Sequence, residues 1–385
     1  MKKMLFAVLA VFLLAFMFGC PTNPPVTPPV NVTPPVSNVT PPVTNVTPPE
    51  NITPPVVNVT PPTPPEVNVT NVTPPVVNVT PPTPPTPPVP PATGDKITAA
   101  GLTYIDSPTA ALNMYFIDVG TGDAILLKKG NFNMLIDAGN ADNGEKVATF
   151  LRQVGVDDIQ ILVATDASPN NIGGMPAVIA AFPIEQYWDN GVVVSGVNVN
   201  ENEMCGTKGC AQMSSSSSDV IVAYTALMNA IVAKGITPKH PVVRDTLAVD
   251  GMNVTILNPG ENRLGSSPNS DSIAMKLEND GFCAILSGDI QETVESSITA
   301  LGIPLKCQVL KVGSNGGGNS ASFQFLDSIK PETAVISVGT TDPNLPSQTT
   351  LERLRLQNVQ VYRTDINGTI TMISSAGNYT VYTNK

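Results

Sequence analysis

Prolines are spread so unevenly along this chain that they dictate its layout. Of 39 prolines, 27 fall between Pro21 and Pro91. Each removes a backbone donor and fixes φ. The same stretch holds few large apolar side chains, so it cannot bury a core. Residues 21–94 repeat a unit close to VNVTPPV. The pattern predicts a polyproline-II stalk, rising about 3.1 Å per residue and reaching on the order of 200 Å when extended. Residues 95–385 remain, about 290 of them, enough for one domain with a real core. The repeat also places N-x-T sequons at Asn31, Asn38, Asn45, Asn51, Asn58, Asn68, Asn71 and Asn78. In an exported protein these are N-glycosylation candidates, and threonines between prolines admit O-glycans.

Residues 1–20 read as an export signal. Lys2 and Lys3 precede an apolar run from Met4 to Gly19, short of the roughly 20 residues a spanning helix needs. Cys20 closes that run, where a prokaryotic lipoprotein signal places its lipidated cysteine. Phe18 departs from the small residue such a signal carries, and an uncleaved anchor is the alternative. Either way the expected location is the outer face of the cytoplasmic membrane, at the cell surface, held by an N-terminal lipid or anchor.

The net charge is confined to the globular region. Lys2, Lys3, Glu50 and Glu66 cancel, so the net −11 belongs entirely to residues 95–385. An acidic domain without a Lys/Arg cluster repels phosphate backbones, so nucleic acid is not an expected partner.

LNMYFIDV, DAILLKK and NFNMLIDAG read as three strands joined by tight turns, and EKVATFLRQVG as a helix ended by Gly155. DIQILVAT is a buried strand, MPAVIAAF a helix with an early Pro, and DVIVAYTALMNAIVAKG a longer helix. HPVVRDTLAV, MNVTILNP, DSIAMKLEN, FCAILSGD and PLKCQVLKVG read as strands, and helix and strand then alternate to the C-terminus. The order predicts two mixed sheets covered by helices.

The segments YFIDVGTGDAILLKKGNFNMLIDAG, ATDASPNNIGGMPAVIAAFPIEQYWDNG, NSDSIAMKLENDGFCAILSGDI, LKVGSNGG, IKPETAVISVG and VQVYRTDINGTITM carry a resemblance. In this order they resemble the metallo-β-lactamase-fold domain of ComEC-type competence proteins, over roughly residues 112–375. The resemblance implies an αββα sandwich whose site lies where the sheets meet. The sequence has no multi-helix channel of the kind full-length family members carry, so a stand-alone exported domain is expected.

In that family the strand matching ILVAT leads into a His-x-His-x-Asp-His loop, whose imidazoles and carboxylate converge on one or two metals. The metal lowers the pKa of a bound water that attacks an ester or amide. Carried over, the two first His positions are Asp166 and Ser168, the Asp position is Asn170, and the last His is Asn171. The bridging Asp is present as Asp289. The His-His-Gly-Ser motif has become Ser314, Asn315, Gly316 and Gly317, and a further histidine-bearing turn has Leu345 and Ser347 at its histidine positions. The single histidine, His240, lies outside every motif and reads as solvent-facing or hydrogen-bonded. Asp118, Gly120, Gly122, Asp123, Asp137, Gly173 and Gly174 read as turn residues supporting the pocket, Gly for backbone geometry and Asp for capping N–H groups.

With no imidazole left, a conventional zinc hydrolase is not expected, nor is any cofactor. The expected role is a pseudoenzyme that binds a wall polymer, a glycan or a surface protein, or serves structurally. The alternative is a hydrolase of phosphodiesters or nucleic acid using Zn²⁺, Mn²⁺, Mg²⁺ or Ca²⁺ at an atypical oxygen-ligand site. Asp166 and Asp289 would be the carboxylates of a weak Ca²⁺ or Mg²⁺ site. A serine hydrolase would need a base, and Lys311 is the nearest in sequence to Ser314. The stretch 194–218 is an insertion outside the resemblance that could cover the cleft. Outside the cell its Cys205 and Cys210 suit a small disulfide loop better than a metal clip. Cys283 and Cys307 lie six and seven residues before Asp289 and Ser314. The fold implied by the resemblance makes their strands neighbours, so a second bridge or two buried thiols are both open.

Overall fold

The structure is a computed structural model. It describes residues 95–99, 102–106 and, from 111 onward, all but 198–204, 206–209, 216, 264 and 266. The leader, Cys20 and the eight sequons lie outside the described residues. The chain divides into two units, Met1–Thr83 and Pro84–Lys385, and every described residue belongs to the second.

That unit begins with a hairpin, β1 (Asp95–Ala99) against β2 (Leu102–Asp106). An antiparallel meander follows: β3 (Leu112–Phe116), β4 (Ile125–Lys129) and β5 (Phe132–Ile136). Helix α1 (Gly144–Gln153) ends at Gly155, whose φ of 69° lets the chain reverse. It leads into β6 (Ile159–Val163), parallel to β5, then through two short helices to β7 (Ile184–Trp188), parallel to β6. β8 (Val192–Val194) and β9 (Ala211–Met213) pair across the insertion. After helix Ser218–Ala233, β10 (Pro238–Lys239) adds to β7 and finishes that edge.

The second sheet starts with β11 (Thr246–Val249), β12 (Met252–Asn258), β13 (Ala274–Asn279) and β14 (Phe282–Leu286), all antiparallel. β15 (Val309–Lys311), β16 (Thr333–Ile336) and β17 (Gln360–Arg363) extend it in parallel, with helices between them. The chain then returns as β18 (Ile370–Ser375) and β19 (Asn378–Thr383) to the first sheet, β18 beside β3. The sheet orders are β10-β7-β6-β5-β4-β3-β18-β19 and β11-β12-β13-β14-β15-β16-β17.

Strand alternation sorts the apolar residues into three cores. Met134, Ile136, Ile161 and Val163 of the first sheet meet Met275, Ala284, Leu286 and Val309 of the second. On the opposite face of the first sheet, Leu135 and Leu162 pack on Val147, Leu151 and Leu227 of its helices. On the outer face of the second, Ile285, Leu310 and Ala334 pack on Ile298, Phe325 and Leu354. Helix, sheet, sheet, helix is the αββα sandwich expected from the sequence.

Two strands are shorter than their sequences suggest. HPVVRDTLAV is no single strand, because a turn interrupts it between β10 and β11. There Asp245 N–H donates to the Val242 carbonyl at 2.9 Å, and Asp245 Oδ2 accepts the Val242 N–H at 2.9 Å. Pro241 supplies no donor for a ladder at this point. PLKCQVLKVG yields only Val309–Lys311 as strand.

Candidate functional site

The site positions converge at the carboxyl ends of β6, β14 and β15, where open sheets place their ligand crevices. Two glycines let the loops approach. A Cβ on Gly122, whose φ is 135°, would lie 2.0 Å from the Asn170 carbonyl oxygen. One on Gly174 would lie 2.1 Å from the Ala138 carbonyl oxygen. No side chain fits either contact, which fixes the β3–β4 loop against the β6 loop.

After β6 the chain enters a hydrogen-bonded turn: Asp166 Oδ1 accepts the Ser168 N–H at 2.8 Å, and Pro169–Ile172 form one helical turn. Asn171 is fully buried at the centre. Its Nδ2 donates to both Asp166 oxygens at 3.4 Å and to Asp289 Oδ2 at 3.3 Å, and its Oδ1 accepts the Asp123 N–H at 3.2 Å. One amide thus joins three loops. Asn170 Nδ2 donates to Asn315 Oδ1 at 3.3 Å. Ser314 Oγ donates to the Asp289 carbonyl at 2.8 Å and accepts from Asn269 Nδ2 at 3.1 Å. Ser314 and Asn315 both hold left-handed backbone, at φ 47° and 50°. Ser347 Oγ instead caps its own helix through the Thr349 N–H, and Leu345 packs in the outer core of the second sheet.

Lys311 was not foreseen as part of this cluster. It follows Val309 on the inward face of β15, is fully buried, and reaches across the sandwich to Asp123 Oδ2. Its Nζ also donates to the Gly288 carbonyl at 2.8 Å and lies 3.9 Å from Asp289 Oδ1. Burial works against its charge, but Asp123 and Asp289 outweigh that and raise its pKa. A lysine held by a buried carboxylate is no free base for Ser314, which removes the serine-hydrolase route. Its sequence signal was a lone charge inside VLKVG. Thr165 and Ser272 were also missed. Thr165 donates N–H and Oγ1–H to Asp137 at 2.9 and 2.6 Å, and Ser272 Oγ accepts the Asp289 N–H at 2.9 Å.

Three buried carboxyl groups, Asp137, Asp166 and Asp289, are raised above ordinary values. Burial, then the charge of Asp166, pushes Asp289 up to about 7 against the pull of Lys311. Burial raises Asp166 too, opposed by hydrogen bonds from Ser168 and Ser272, and burial with the charges of Asp166 and Asp123 raises Asp137 further. Asp137 is the hub under β6, held left-handed at φ 58°. Asp118 lies at the rim, with Oδ1 accepting the Gly120 N–H at 3.2 Å and Oδ2 lying 3.3 Å from Lys385 Nζ.

This donor set does not fit a transition metal. Among the described residues, no three His, Cys, Asp or Glu side chains come together where they could hold an ion. The two carboxylates that face each other already share the Asn171 amide, which a hard cation would have to displace.

The remaining chemistry lies elsewhere. Cys205 and Cys210 are bonded within the insertion (S–S 2.07 Å), and Cys283 is bonded to Cys307 across the neighbouring strands β14 and β15. The latter pair lines a cleft of about 630 Å³ with Glu278, Lys306, Lys330 and Glu332. That cleft is at the amino ends of β14 to β16, the opposite end of the sheet from Asp289. His240 Nδ1 lies 2.5 Å from Asp189 Oδ1. Among the described residues, no helix is long and apolar enough to cross a membrane.

The chain is 26% identical over 290 residues to ComE operon protein 3 of Bacillus subtilis, covering 69% of this chain and 34% of that protein. It is 24% identical over 257 residues to competence protein ComA of Neisseria gonorrhoeae, covering 66% and 31%. The globular domain is similar to that of ComEC-type competence proteins. The ComEC-type domain spans about a third of the length of the curated relatives it matches. No protein-family model matches the chain. Among solved structures it is similar to the metallo-β-lactamase fold protein YhfI from Bacillus subtilis, at 8% identity and TM-score 0.41, covering 68% of this chain and 99% of that one. Within this family resemblance, the ligand positions are degenerate.

Proposed function

We propose that the chain displays its ComEC-type domain on the outer face of a prokaryotic membrane as a pseudoenzyme. It acts by binding, or as a structural element, toward a wall polymer, a glycan or a surface protein. The observation that carries this reading is Asn171. At the position of the last metal-binding histidine stands an amide whose N–H groups bridge Asp166 and Asp289. The carboxylates that would face a metal are bonded to protein instead, and Lys311 supplies the positive charge nearby.

The second reading is hydrolysis of a phosphodiester through oxygen ligands. Asp289 Oδ1 and Asp123 Oδ1 favour it, since both are buried without a hydrogen-bond partner. The test is to purify the full chain, measure bound metal by mass spectrometry, and assay a generic phosphodiester with Mn²⁺ and Zn²⁺. The pseudoenzyme reading expects neither stoichiometric metal nor turnover. Both together would overturn it. Calorimetry with millimolar Ca²⁺ and Mg²⁺ is expected to show no heat of binding.

A further inference from the structure

The first sheet has an open edge, and the chain carries a two-stranded hairpin that belongs to no larger sheet. β19 ends the first sheet beyond β18, and among the described residues β1 and β2 pair only with each other. The sequence of β19, NYTVYT, is rich in residues that favour strands and has neither charge nor proline. Natural edges are blunted by lysine, proline or a bulge, because free backbone groups recruit another strand. A hairpin of two strands is marginal in water by itself and needs a third strand or a packing surface.

The backbone tells which groups are free. Ala376 and Gly377, both at positive φ, join β18 to β19 in a two-residue turn, so the flanking Ser375 and Asn378 exchange both hydrogen bonds. Alternation then turns the amides and carbonyls of Thr380 and Tyr382 toward β18, and those of Tyr379 and Val381 away from it. In the hairpin, Ala99 and Leu102 form the closing pair. The same count turns the backbone groups of Tyr104 toward β1 and those of Thr103 and Ile105 away from it. Each element thus offers two alternate residues whose donors and acceptors its own ladder does not use, at the same spacing.

Connectivity fixes the direction. Ser374 pairs with Leu112 of β3 on one side and Tyr379 of β19 on the other, so β3 and β19 begin level with each other. Residues 107–111 are all that separates β2 from Leu112. Fully extended, the chain from Asp106 to Leu112 spans about 20 Å. A strand added outside β19 would lie about 14 Å from β3, three strand spacings away. The link therefore reaches, and it brings the end of β2 to the beginning of β19.

We propose that β2 adds antiparallel to the free edge of β19, with Ile105 opposite Tyr379 and Thr103 opposite Val381. The first sheet then continues β3-β18-β19-β2-β1, and the uncharged edge is covered. Asp95, opposite Asp106 in the hairpin, leaves the sheet at the end where β3 begins. β3 runs parallel to β6, so that is the end opposite the Asp166–Asp289 cluster. This goes beyond the reading above and depends on neither a degenerate site nor surface location.

Residue-level amide hydrogen exchange on the full chain tests it. The Tyr379 and Val381 amides are expected to be protected. Deleting residues 95–106 should speed their exchange at least about tenfold and leave Thr380 and Tyr382, bonded to β18, within about twofold. Ile105→Pro removes an amide the hairpin itself does not use, should speed Tyr379 in the same way, and serves if the deletion fails to fold. Fast exchange at Tyr379 and Val381 in the full chain, protection that survives both variants, or equal acceleration at Thr380 and Tyr382 refutes the pairing. Protection lost on dilution, together with a dimeric mass, gives the edge to a second copy and refutes it too. Metal content and phosphodiester turnover do not enter this readout, so its failure is separable from failure of the pseudoenzyme reading.

Discussion

Lys311 is the residue on which the site's electrostatics turn. It is a cation inside a sandwich, compensated by Asp123 and by the carbonyl of Gly288. Removing one partner of a buried pair costs about 3–5 kcal/mol, because the other charge stays desolvated. Lys311→Met should therefore lower stability by about that much in chemical denaturation, and adding Asp123→Asn should recover most of it. Asp289 gives a pH signature. Its folded pKa of about 7 lies above the ordinary aspartate value near 3.9. Between those values the unfolded chain binds fewer protons than the folded one, so this group's contribution falls as pH rises from about 4 to about 7. Asp289→Asn should flatten that part of the stability curve, and a variant curve parallel to wild type would refute the assignment. The sequence offered Asp289 and Asn171 as site positions. It did not reveal that one amide would bridge two carboxylates, since that depends on three loops meeting at one point.

At the scale of elements, the site depends on loops pressed together without side chains between them. Gly122→Ala would put a methyl 2.0 Å from the Asn170 carbonyl oxygen at a φ of 135°. The loops must separate, and a loss of at least about 2 kcal/mol is expected, together with faster amide exchange at Asn171. Gly120, whose Cβ would meet nothing within 4 Å, is the contrast within the same loop, with only its φ of 75° to be strained. Strands were legible wherever alternation was clean, as in β5 and β6. The interrupted strand at HPVVRDTLAV was not, because apolar spacing continues through a turn that Asp245 closes.

Over the whole molecule, two sheets share one core, and covalent links secure the second sheet and the insertion. The Cys283–Cys307 link spans 24 residues and the Cys205–Cys210 link 5. Loop entropy then gives the first about 3.4 kcal/mol and the second about 2 kcal/mol. A thiol titration of the unreduced domain is expected to detect none of these four cysteines, and reduction should lower the melting temperature, chiefly through the longer loop.

The sequence by itself determined the layout of this protein: a proline-rich stretch that cannot bury a core, an acidic domain with alternating strands, and motif positions from which every imidazole has gone. These are properties of composition and period, which need no partner to be read. The tertiary structure decided what replaced the imidazoles. Asn171 bonds Asp289, and Lys311 crosses the inter-sheet layer to Asp123. Each is a contact between elements distant in sequence, and its chemistry exists only once the two sheets are stacked.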